Sequence, residues 1–69
     1  MSIQWVKVFS TPTQYLVELV RGQLEEESIK TFVLNKQDSM YSPIFGEIEL
    51  YVSSEDVIRA KHLISKQQF

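Results

Sequence analysis

Few of the 69 residues have the type and spacing that chemistry needs. His62 is the single histidine. Metal sites usually recruit several His, Cys or carboxylate ligands, and His62 has no companion at ligand spacing, so it reads as a surface residue of the last helix near Lys66. Glu25-Glu26-Glu27 could attract a cation or a basic partner. Consecutive helical residues point in different directions, however, and cannot readily chelate one ion, so a solvated helix end is expected where the helix dipole already disfavours negative charge. Gly22 and Gly46 are isolated, which excludes a glycine-rich phosphate loop. Ser53 and Ser54 are accounted for as helix caps, and no Ser/His/Asp set is recognisable. There is no cysteine, hence no disulfide and no thiolate metal site. The expectation is a chain with no catalytic, metal-binding or cofactor-binding residues, and not an enzyme. What remains is contact chemistry: Trp5, Lys7, Phe9 and Tyr51 on strands, and Met40, Tyr41, Ile44 and Phe45 in a long connection.

The elements that must position these residues follow from periodicity. Residues 3–10 are rich in Val and aromatics and predict a strand. Ile3, Trp5, Lys7 and Phe9 share one face of it; Gln4, Val6 and Val8 share the other. Thr11-Pro12-Thr13-Gln14 predicts a helix start, with Thr11 as cap, Pro12 at the first helical position and Gln14 completing a capping box. Leu16, Leu19, Val20 and Leu24 then form an apolar stripe at helical spacing, and the helix is expected to end near Glu27. Residues 29–35 predict a second strand, with Thr31 and Val33 on one face and Phe32 and Leu34 on the other. Residues 47–52 alternate cleanly, Ile48, Leu50 and Val52 against Glu47, Glu49 and Tyr51. Ser53-Ser54-Glu55-Asp56 opens a last helix whose buried stripe is Val57, Ala60, Leu63 and Ile64, and Glu55 and Arg59 are spaced for an ion pair.

The order β-α-β-β-α constrains the architecture. A strand–helix–strand crossover is right-handed in nearly all sheets, and a third strand returning by a hairpin can slot between the first two. The expected fold is α+β: a two-layer sandwich with a three-stranded antiparallel sheet in order 1-3-2 and two helices on one face, similar to a ferredoxin-like split β-α-β lacking its last strand. The first strand is then an open edge and the face away from the helices has no cover. If Ile48, Leu50 and Val52 face the helices, the open face carries Tyr51, Lys7, Trp5 and Phe9. Exposed apolar patches of that kind mark contact sites; the alternative is that Trp5 folds over the sheet edge and completes a small core. Residues 36–46 pose the same choice. Hairpin loops normally run about 2–5 residues and longer ones are often functional, so Met40, Tyr41, Ile44 and Phe45 either dock on a partner or ligand or fold back over the core.

Composition sets the outer bounds. With 43% hydrophobic and 23% charged residues, the chain matches an ordinary soluble domain, and its length predicts a single domain over residues 1–69. Such a domain buries only about 60% of the surface of its unfolded chain. The formal net charge is −2, and the seven basic residues are scattered, so nucleic-acid binding is not expected. No apolar run reaches the length of a membrane span, and the first residues lack the pattern of a signal peptide, which predicts a cytoplasmic protein.

The chain resembles a family of short bacterial domains, the putative prokaryotic signal transducing proteins. The resemblance rests on Trp5-Val6-Lys7-Val8-Phe9 as opening strand, Leu24-Glu25 with Ile29 as helix end and turn, Asn35 after the second strand, and Gly46 to Val52 followed by Asp56, Ala60 and Leu63-Ile64. One departure is Ser28, where the family usually has Gly before the isoleucine; this predicts a helix ending displaced by a residue. The resemblance implies a fold like that of the PII nitrogen-regulator proteins, whose effector motifs are not visible here, and it implies no established activity. Together these readings predict a non-enzymatic regulatory or interaction module without cofactor. It would bind a protein partner or a second copy of itself through the open sheet face, the edge of the first strand or the 36–46 loop. The alternative is a domain that senses a metabolite or nucleotide.

Overall fold

A computed structural model of the chain describes residues 4–36 and 46–66. The connection residues Met40, Tyr41, Ile44 and Phe45 lie outside this range. The elements run β1 (Trp5–Thr11), α1 (Gln14–Glu26), β2 (Thr31–Asn35), β3 (Ile48–Ser53), a short 3-10 turn (Ser54–Asp56) and α2 (Val57–Ser65). The three strands form one open sheet in the order β1-β3-β2, with β3 antiparallel to both neighbours. The expected α+β architecture is therefore the observed one.

The cleanest alternation in the sequence becomes the centre of the core. Ile48, Leu50 and Val52 of β3 are buried under the helices, and Leu50 and Val52 pack with Val20, Leu24, Ile29 and Ala60. Val8, Phe9, Val57, Leu63 and Ile64 close around this cluster. Each fully buried Leu or Ile contributes about 1.5–3 kcal/mol relative to an exposed one. The stripe of α1 differs from the expected one: its buried residues are Val17, Val20 and Leu24, whereas Leu19 is 38% exposed. The i, i+3, i+7 spacing of Val17, Val20 and Leu24 is as good a helical stripe as the predicted set, and packing against the sheet selects between them.

The helix ends also depart from the expectation. β1 runs on to Thr11, which pairs with Ile48, so the cap of α1 moves to Thr13 and the capping box on Thr11 and Gln14 does not form. Thr11 Oγ1 instead accepts a hydrogen bond from the Thr13 N–H at 3.2 Å, turning the chain from strand into helix. At the other end, Ser28 adopts φ 62°, a left-handed residue. The Ile29 N–H donates to the Leu24 carbonyl at 3.0 Å and the Ser28 N–H to the Glu25 carbonyl at 3.0 Å. This is the 6→1, 5→2 pattern of a Schellman ending, with Leu24 and Ile29 both buried as its apolar contact. The helix ending is thus not displaced; Ser28 takes the conformation that glycine would.

The Ser53 side chain accepts from the Glu55 N–H at 3.3 Å, as a cap of the 3-10 turn and not of α2, which begins one turn later at Val57 with Asp56 at its N-cap and no side-chain cap bond. Arg59 does not pair with Glu55. Its Nη2 donates to the Glu27 carbonyl at 2.8 Å and lies 3.6 Å from Glu27 Oε1. The guanidinium therefore satisfies a free carbonyl at the end of α1, where the helix dipole favours a cation.

Candidate interaction surface

The face of the sheet turned away from the helices is built by alternation on three strands. Glu49 and Tyr51 occupy it on β3 because Ile48, Leu50 and Val52 are committed to the core. Cross-strand partners share a face, so the register Trp5↔Ser53, Lys7↔Tyr51, Phe32↔Tyr51 and Leu34↔Glu49 places Trp5, Lys7, Phe32 and Leu34 beside them. Trp5 and Phe32 stand 5.7 Å apart between ring centroids, and Phe32 meets Tyr51 edge-on at 6.0 Å. Ser53, the partner of Trp5 across the strands, is small. Trp5 thus lies over the open face, not in the core, and remains 41% exposed; Phe32 is 47% and Leu34 37% exposed.

Phe9 does not join this row. β1 carries a bulge between Lys7 and Phe9, so that Lys7 pairs with Tyr51 but Phe9 pairs with Leu50. One inserted residue reverses the side-chain alternation downstream. Phe9 turns toward the helices and packs on the core cluster, which corrects its expected place among the open-face aromatics. The signal in the sequence was the doubled apolar pair Val8-Phe9, since a regular strand cannot direct both to one side.

Next to the aromatic row sits a carboxylate. Glu49 is 7% exposed although no helix among the described residues covers this face. Tyr51 Oη donates to Glu49 Oε1 at 2.6 Å, and Lys7 Nζ and Lys36 Nζ approach Oε2 at 3.4 and 3.3 Å. The Tyr51 hydrogen bond, helped by Lys36 and then Lys7 and opposed by burial, holds the Glu49 carboxyl below its ordinary value of 4.5. The same hydrogen bond, together with burial and the neighbouring negative charge, raises the Tyr51 phenol. Of the residues singled out from the sequence, the fold brings Trp5, Lys7 and Tyr51 together; Phe32, Leu34, Lys36 and Glu49 are the additions. The alternation of β2 marked Phe32 and Leu34 as one face, but only the register showed which face.

Among the described residues no three His, Asp or Glu side chains converge as metal ligands, and His62 is an exposed residue of α2. An open groove along β1 is lined by Lys7, Val8, Phe9, Ser10 and Lys61. No helix among the described residues is long and apolar enough to cross a membrane.

Comparison with curated proteins and with solved structures returned no match in either. A family model does match, over residues 5–68, from Trp5 through α2. That span includes all the strands and helices of the described residues, and the chain belongs to the family described as "putative prokaryotic signal transducing protein".

Proposed function

We propose that the chain is a non-enzymatic signal-transduction module that binds a protein partner through the open face of its sheet. The observation that carries this reading is the row Trp5–Phe32–Tyr51, with Trp5 41% and Phe32 47% exposed, on the sheet face that no helix covers among the described residues. Aromatic side chains with a polar rim are the usual anchors of protein interfaces, and here the rim is the Lys7–Glu49–Lys36 cluster. A core role would bury these rings; the core is filled without them. The test is capture of partners from a lysate of the source cells with wild type, Trp5→Ala and Tyr51→Ala. Both variants are expected to keep a cooperative melt and lose the captured protein. Undiminished capture by both folded variants refutes the reading.

The groove beside β1 supports a second reading, a sensor of a small anionic metabolite or nucleotide, because Lys7 and Lys61 flank it. A thermal-shift screen at millimolar ligand decides it: no stabilising hit excludes this reading.

A further inference from the structure

The two outer strands are not equivalent edges. β1 is interrupted by its bulge, a device that spoils pairing with another chain. β2 is regular over all five residues, with an unbroken register against β3. The hydrogen bond from the Lys36 N–H to the Glu47 carbonyl at 3.2 Å fixes its phase. Residues 36, 34 and 32 exchange backbone bonds with β3, so Thr31 and Val33 turn their N–H and C=O groups away from the sheet. Phe32, Val33 and Leu34 are 47%, 36% and 37% exposed, a run of apolar surface on both faces of one edge.

We propose that β2 pairs antiparallel with β2 of a second copy, about a two-fold axis at Val33, to give a continuous six-stranded sheet. The segment Thr31-Phe32-Val33-Leu34-Asn35 is self-complementary about that axis. Val33 meets Val33 of the partner subunit in the hydrogen-bonding phase that its outward backbone groups require. Phe32 falls opposite Leu34 of the partner subunit on the open face, and Thr31 opposite Asn35 of the partner subunit on the helix face. An isologous contact of this kind closes as a dimer and leaves only bulged β1 strands as outer edges. At the ends Lys30 faces Lys36 of the partner subunit, and the charge of Lys36 is already met by Glu49 at 3.3 Å. The pairing would also join the two open faces into one surface. It goes beyond the partner-binding reading and does not depend on it.

The chain has no cysteine, so single-cysteine variants report contacts without background. In the proposed register the two Val33 Cα atoms lie about 5.5 Å apart, within disulfide reach of about 4.4–6.8 Å. Sedimentation of wild type from micromolar to millimolar concentration is expected to show a monomer–dimer equilibrium. Mild oxidation should cross-link Val33→Cys rapidly and Ser10→Cys, on the β1 edge, little. Val33→Lys, which sets like charges opposite each other, should weaken the dimer by about tenfold or more; where it fails to fold, the cysteine pair decides alone. Trp5→Ala should leave the dimer intact, which separates this proposal from the partner-binding reading. A wild-type monomer throughout the range overturns the proposal, as does cross-linking of Ser10→Cys in preference to Val33→Cys.

Discussion

Ser28→Gly should stabilise the domain. Ser28 sits at φ 62°, and the left-handed region costs a residue with a Cβ roughly 1–2 kcal/mol. Glycine removes that cost but loses more conformational freedom on folding, by roughly 0.5–1 kcal/mol. The middles of the two ranges, about 1.5 and about 0.75 kcal/mol, predict a net gain of about 0.5–1 kcal/mol. For a domain of this size about 1 kcal/mol shifts the melting midpoint by roughly 4–8 °C, so the expected rise is about 2–8 °C. The Schellman bonds from Ser28 and Ile29 use backbone atoms only and survive the change, as does the Leu24–Ile29 contact. Ser28→Val is the opposing test, because a β-branched residue is a genuine outlier at positive φ; it should lose more than about 1 kcal/mol. The assay is thermal and urea unfolding followed by far-UV circular dichroism, with an unchanged urea m-value showing that the folded and unfolded states are the same in kind. If Ser28→Gly melts at or below wild type while Ser28→Val is neutral, α1 does not end on a left-handed residue and the reasoning fails.

Three further perturbations separate the sides of the sheet and the ends of the helices. Glu49 has its folded pKa lowered, so its stabilising contribution is present above the unfolded value near 4.5 and disappears as pH falls through the folded value; Glu49→Gln should flatten the acid limb of stability against pH, measured by urea midpoints. Phe9→Asp should unfold the domain or cost more than about 3 kcal/mol, because it puts a carboxylate against the core, whereas Trp5→Asp should cost less than about 1.5 kcal/mol; near-equal losses by chemical denaturation would place both rings in one environment, against the bulge. Arg59→Ala should lower stability by about 0.5–1 kcal/mol by freeing the Glu27 carbonyl, while Glu55→Gln should change the thermal midpoint little, since Arg59 pairs with Glu27 and not with Glu55.

The amino-acid pattern alone specified the elements and their order, because these depend on local spacing. The Ile48-Leu50-Val52 alternation admits only one buried face, and the hairpin return of β3 leaves little choice but the central position. It also determined that Tyr51 and Glu49 turn away from the core. Whatever hangs on a phase or a partner was settled by contacts between elements distant in the chain. A bulge of one residue separates Trp5 from Phe9 by sending them to opposite faces, and such an insertion leaves only a doubled apolar pair as its local trace. The stripe of α1 slid from Leu16 and Leu19 to Val17, because the helix must meet a sheet whose position the helix sequence does not encode. Arg59 chose a carbonyl distant in sequence over the carboxylate one turn away, since it could satisfy a helix end there. Ser28 carried its left-handed turn without glycine because the buried Leu24–Ile29 contact and two backbone bonds hold the chain there. The aromatic row needs β1, β2 and β3 side by side in one register, and only their pairing brings Trp5, Phe32 and Tyr51 together.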